Sequence, residues 1–191
     1  AGDVMRAAQW PPLILPDVPW DDELVAAWLE RYPDHPDLLE LRLRLAAGEG
    51  AVLAEPVVGY AEAYAAARPV DPHPHKRLAR HWLAVDAPER ALPHLRYLDA
   101  REQGSAVYAV EIARIHRRAG DLEAARTAMR RALFIDPFNA PYRELAAAIS
   151  MEARDFEAAR QHIVALTLLE PDRTLHQRRL DRIDALREQA G

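Results

Sequence analysis

No cysteine occurs in the 191 residues. Disulfide frameworks, thiolate nucleophiles and cysteine-ligated zinc are therefore excluded, while the compartment stays open, cytoplasmic by default. Lys76 is the only lysine among 25 basic residues, so positive charge is carried by arginine, a bias that genome base composition explains more easily than function. Seven glycines, mostly at breaks between apolar stretches, leave little backbone for a phosphate-cradling loop. No run approaches the ~18 apolar residues that a membrane span requires, so insertion into a membrane is not expected. The formal net charge of −5 and the pI of about 5.9 argue against nucleic acid as a partner, since such affinity comes largely from neutralising phosphates. The chain opens Ala1-Gly2-Asp3, without an initiator Met or a signal-peptide pattern, which suggests a processed product or, more readily, a piece of something larger.

What is present is alanine and leucine in quantity, half of all residues being hydrophobic, a composition that favours helix. It is also repeated. Aligning 106–139 with 140–173 gives eleven identities in 34 positions without a gap, among them Asp121/Asp155, Glu123/Glu157, Arg126/Arg160 and Pro137/Pro171. Stepping back 34 residues lands on 72–105, where Ala79 and Ala91 take the places of Ala113 and Ala125, and Leu95 that of Met129 and Ile163. Three units in one register predict a repeat architecture.

Each unit reads as two helices. Ala109, Ile112, Ala113 and His116 follow the spacing of one helical face, and Leu122, Ala125, Met129 and Ala132 form a second. Gly120-Asp121 separates them, because glycine takes the left-handed conformation at a C-terminus and aspartate caps the next N-terminus. Asp136-Pro137 ends the pair. Alanine at 113 and 125 lets the helices approach closely.

These residues resemble the tetratricopeptide repeat family, whose 34-residue unit has small residues in its eighth and twentieth slots, a large apolar one in the twenty-fourth and proline in the thirty-second. Here the slots read Ala113, Ala125, Met129, Pro137 and then Ala147, Ala159, Ile163, Pro171. The upstream unit has Ala79, Ala91 and Leu95 but Gln103 in the proline slot, and Trp82 in the aromatic one. His116 and Ser150 depart from the usual tyrosine, as His75, Ala109 and Arg143 depart from the common tryptophan. The resemblance implies an all-α fold: a right-handed α-solenoid, or superhelix, of antiparallel helix pairs. The expected organisation is an extended proline-rich segment over 1–20, N-terminal helices with a degenerate repeat over 21–71, and three repeats over 72–173 (72–105, 106–139 and 140–173). A capping helix over 174–191 closes it, solvating the last stacking face. Within 21–71, helices are expected over Asp21–Tyr32, Pro36–Ala47 and Pro56–Ala67. Four prolines and two tryptophans in Trp10–Trp20 predict extended backbone that packs as an irregular cap or lies in a groove.

Chemistry is sparse. His73 and His75 flank Pro74, with His81 six residues on, but prolines should keep this stretch from forming one helical face, so an inter-repeat turn is expected and no metal site. His116 and His162 read as core or boundary residues. No nucleophile elbow, phosphate loop or kinase signature occurs, so no enzyme activity and no cofactor are expected. Recognition remains. In superhelical arrays of this kind the first helix of each unit lines the concave surface, which nominates Lys76, Arg80, Arg114, Arg117, Arg118 and Glu144, with Glu152 beyond them. A positive stripe followed by negative charge suits a protein or extended peptide with an acidic end, although such arginines are also common on any solvated helix. The expected function is a non-catalytic scaffold for protein–protein interaction and peptide binding. The alternatives are an accessory module of a larger enzyme or secretion machine, or a structural protein self-associating through its stacking ends.

Overall fold

The computed structural model describes residues 20–46 and 50–190. The proline-rich stretch before Trp20, expected to be extended and to pack as an irregular cap or lie in a groove, is outside the described residues. Ten helices and no strand occur among the described residues. The chain divides into two compact units, Ala1–Leu98 and Asp99–Gly191, which are described in turn.

In the first unit, α1 (Asp22–Arg31), α2 (Pro36–Ala46), α3 (Glu55–Ala67) and α4 (Pro72–Ala84) are followed by α5 (Pro88–Arg101), whose last residues belong to the second unit. Asp21 caps α1, its carboxylate accepting from the Leu24 amide at 2.8 Å. Asp71 caps α4 by accepting from the His73 amide, also at 2.8 Å, and accepts a second hydrogen bond, 2.5 Å long, from the fully buried Tyr64 hydroxyl. Although burial opposes it, these two donors hold the Asp71 carboxyl below its ordinary range. Here one expectation fails. The His73–His81 stretch is not a turn but the body of α4, because Pro72 and Pro74 sit in its first turn, where no intrahelical N–H partner is lost.

In the second unit, α6 (Val107–Arg118), α7 (Leu122–Ile135), α8 (Ala140–Glu152), α9 (Phe156–Leu169) and α10 (Leu175–Ala190) run in sequence. Asp121 and Asp155 start α7 and α9, accepting from the amides of Ala124 (3.1 Å) and Ala158 (2.9 Å). Asn139 does the same for α8 through the Tyr142 amide. The small and large slots of the repeat are the core: Ala113 and Ala125 are fully buried beside Met129, Ala132 and Ile149. Ala147, Ala159 and Ile163 are packed with Leu166, Leu180 and Ile183 from α9 and α10. Ala79, Ala91 and Leu95 are likewise buried in the first unit.

The backbone repeats with the side chains. Asp86, Gly120 and Arg154 all have positive φ, at 54°, 79° and 56°, and stand 34 residues apart at the bend between the two helices of a pair. Only glycine takes this conformation without a Cβ penalty, and around Gly120 a Cβ would meet nothing within 4 Å. The cost there is therefore backbone strain alone. Gly120→Ala should destabilise by about 1 kcal/mol, and Arg154→Gly should stabilise by roughly 0.5–1 kcal/mol, net of the extra freedom of the unfolded chain. Shifts of the urea midpoint in opposite directions check this; equal signs would contradict it.

The arginine of the duplicated Glu-Ala-Ala-Arg has a job that the repeat alone did not reveal. Arg126 Nη2 donates to Asp155 at 2.6 Å, and Arg160 Nε donates to Asp184 at 2.9 Å. In both copies the guanidinium reaches a carboxylate of a later helix, and Asp155 is also the cap of that helix. At this partial exposure such pairs contribute about 0.5–1 kcal/mol, and each links the second helix of a repeat to a later element.

Candidate functional site

Four cationic or titratable groups of α4 lie on one side of the first unit. His73, Lys76, Arg77 and Arg80 line a hollow of about 400 Å³ together with Gly50, Ala51 and Leu53. Lys76 and Arg80 are four residues apart on the helix and both exposed, so the nominated pair shares a face, and the hollow adds Arg77 to it. The remaining histidines of this unit are occupied structurally. His81 is buried, its Nδ1 accepting from the Leu53 amide at 3.0 Å. His75 and His94 meet Nδ1 to Nδ1 at 2.9 Å, one ring donating and the other accepting, and His75 stacks on Tyr97 with centroids 3.9 Å apart. Burial first, then His75 and Arg90, push the His94 imidazole down to about 4, and burial likewise lowers His75. Both rings are thus neutral near pH 7, which is what a direct imidazole–imidazole hydrogen bond requires.

In the second unit, Arg114 and Arg118 stand one turn apart on α6 and are exposed. Arg114 Nη1 donates to Glu111 at 2.8 Å within its own helix, leaving 60% of the side chain accessible. Arg117 is placed differently. Its Nε and Nη2 grip Glu152 of α8 at 3.0 and 2.5 Å, and these bonds raise the guanidinium and lower the carboxyl from their ordinary ranges. The expected positive stripe and its negative end therefore pair with each other at this point, while Arg114 and Arg118 keep their exposure on α6.

Glu144 belongs to a separate cluster. Arg173 Nη1 lies 3.3 Å from Glu144 and 3.0 Å from Glu170, Arg179 lies 3.7 Å from Glu144, and the fully buried His176 reaches Glu170 through Nε2 at 2.6 Å. Hydrogen bonds from His176 and then Arg173 hold the Glu170 carboxyl below its ordinary range. Glu144, Glu170 and His176 are close enough together to hold a cation, but Arg173 already supplies positive charge to both carboxylates. The cluster reads as an ion-pair junction between α8, the loop after α9 and α10.

Sequence pattern missed Arg77, because its slot does not belong to the first-helix positions that line such arrays. It also missed what a third helix adds: Arg126, Arg130 and His162 come together only when α7, α8 and α9 are packed. No helix among the described residues is long and apolar enough to cross a membrane.

Comparison with protein-family models finds no match, and neither does comparison with curated protein sequences. Solved structures do match. MamA superposes with a TM-score of 0.61 at 12% identity, covering 80% of this chain and 82% of that one. MamA from Desulfovibrio magneticus RS-1, from its residue 41 to the end, gives 0.57 at 19% identity, covering 80% and 85%. YrrB, described as a TPR protein with an unusual peptide-binding site, gives 0.60 at 14% identity, covering 82% and 80%. Identities this low carry the fold and not the partner. The chain is accordingly an all-α protein of antiparallel helix pairs with the tetratricopeptide-like fold.

Proposed function

We propose that the chain is a non-catalytic scaffold that binds an extended peptide with an acidic end. The observation that carries this reading is the exposure of Arg114 and Arg118 on one face of α6, on a chain whose fold is shared with a protein described by its peptide-binding site. Two exposed guanidinium groups one helical turn apart attract a carboxylate through charge and through N–H donors beyond the one that Arg114 gives to Glu111. Lys76 and Arg80, beside the hollow of the first unit, offer a second basic surface of the same character. Arg117 and Glu144 act in this reading as positioning residues, since Arg117 ties α6 to α8 and Glu144 ties α8 to Arg173. The organisation that goes with it is three repeats over 72–173, with helices over 21–71 before them and a cap over 174–191.

The test is a calorimetric titration with a peptide ending in consecutive glutamates. Arg114→Glu should abolish measurable binding while leaving the far-ultraviolet helical signal unchanged, because the side chain is exposed and bonds to Glu111 on its own helix. Wild-type affinity should fall as salt rises, since exposed charges are screened. An Arg114→Glu protein that binds as tightly as wild type removes this face from the account.

A further inference from the structure

A second cavity lies within the second unit, between the second helices of two successive repeats. It encloses about 230 Å³ between α7, α8 and α9, below the range of drug-sized sites and suited to a single side chain. Its floor is apolar: Met129, Ala146 and Ile149 line it and are each no more than 4% exposed. Its mouth is cationic. Arg126 and Arg130 line it from α7, and Arg143 of α8 lies close enough to act on His162. Asp155 offsets Arg126 at 2.6 Å, whereas Arg130 is 73% exposed and is held by Thr127 at 2.9 Å and Glu123 at 3.8 Å.

His162 sits in the wall with its Nδ1 buried and without a hydrogen-bond partner among the described residues. Burial, then Arg143 and Arg126, hold this imidazole below its ordinary range, so it is neutral and can donate or accept. A buried polar atom left unpaired beside a cavity is costly to the free protein, and a turn of the ring toward the cavity would bring it within reach of an entering polar group.

We propose that this cleft is an anchor pocket for the C-terminal residue of a partner peptide, taking an apolar side chain onto Met129 and Ile149 while the terminal carboxylate meets Arg130 and His162. Charge complementarity selects the carboxylate, and the volume selects one residue. The site is independent of the arginines of α6: it is built on α7, α8 and α9, and Gln161 of α9 closes one side.

The probe is the acetylated tripeptide Ac-Gly-Gly-Leu, as the free acid and as the C-terminal amide, titrated against the full chain while the His162 ring is followed by nitrogen-15 NMR. The free acid should shift the His162 ring nitrogens and saturate. The amide should bind at least tenfold more weakly, as should Ac-Gly-Gly-Gly acid. Arg130→Glu, at an exposed position, and Gln161→Trp, which fills the mouth, should each weaken the free acid at least tenfold with unchanged thermal unfolding. Arg114→Glu should leave it unaffected. Equal affinity for acid and amide, no shift of the His162 ring at saturation, or wild-type affinity in both Arg130→Glu and Gln161→Trp overturns the assignment. Loss of affinity in Arg114→Glu alone assigns the carboxylate to α6 instead and equally overturns it.

Discussion

Ile163→Ala is expected to lower the unfolding free energy by about 2–5 kcal/mol, one of the largest single losses that the chain can suffer without a change of charge. Ile163 is 1% exposed and sits among Ala147, Ala159, Leu166, Leu180 and Ile183, so it touches the helix before its own and the helix after. Truncation removes its apolar surface from the core and leaves a cavity that the neighbouring small alanines cannot fill. In a repeat chain, stability is a sum of unit terms and neighbour interfaces, and this side chain belongs to two interfaces at once. Leu168→Ala is the control. Five residues on in the same helix, Leu168 is 79% exposed, and its loss should change stability by no more than about 0.5 kcal/mol. Urea unfolding followed by helical signal distinguishes the two, and equal midpoints would mean that the slot is not an interlock.

Ala125→Leu is expected to cost about 1–3 kcal/mol by the opposite mechanism. Ala125 has no exposed surface and lies in the same cluster as Ala113, also fully buried, where small side chains leave no room for added bulk. A leucine must push α6 and α7 apart or adopt a poor rotamer. Thr127→Leu, on the exposed side of α7, adds comparable bulk where it meets solvent and should be tolerated. Differential scanning calorimetry of the pair checks the contrast; a tolerated Ala125→Leu would show that close approach is not why the slot is small.

Both predictions concern residues whose roles were legible in the sequence, and the reason is physical. Small and large slots, aspartate caps and the glycine bend act within a few residues of each other, so their spacing reports their geometry. The resemblance of Ala113, Ala125, Met129 and Pro137 to a known 34-residue unit then supplied the pairing, and the helices follow it. The expectation for His73–His81 failed because two rules compete there. Proline breaks a helix interior but suits its first turn, and Asp71 as cap decides for the second. Arg154 holds the strained bend that glycine holds in the preceding copy, which no local propensity indicates.

The site was less legible than the fold. Charge pattern reveals the sign of Arg117 and Glu152 but not that they meet across 35 residues and neutralise each other. Spacing alone does not show that Arg126 and Arg160 of the Glu-Ala-Ala-Arg motif reach Asp155 and Asp184. The anchor pocket depends on three helices, with Ser150, His162 and Arg126 drawn from separate elements. Periodicity within one helix cannot predict such a convergence, since it is set by packing between units.

The most direct test of the central claim, that an acidic partner lies along α6, is arginine footprinting. The chain is treated with an arginine-selective dicarbonyl reagent with and without a saturating peptide ending in glutamates, and each arginine is read by mass spectrometry. Arg114 and Arg118, both exposed, should lose reactivity in the complex, while the exposed Arg154 and Arg182 should keep theirs. Saturation of the peptide with Arg114 and Arg118 as reactive as in the free protein would contradict the account.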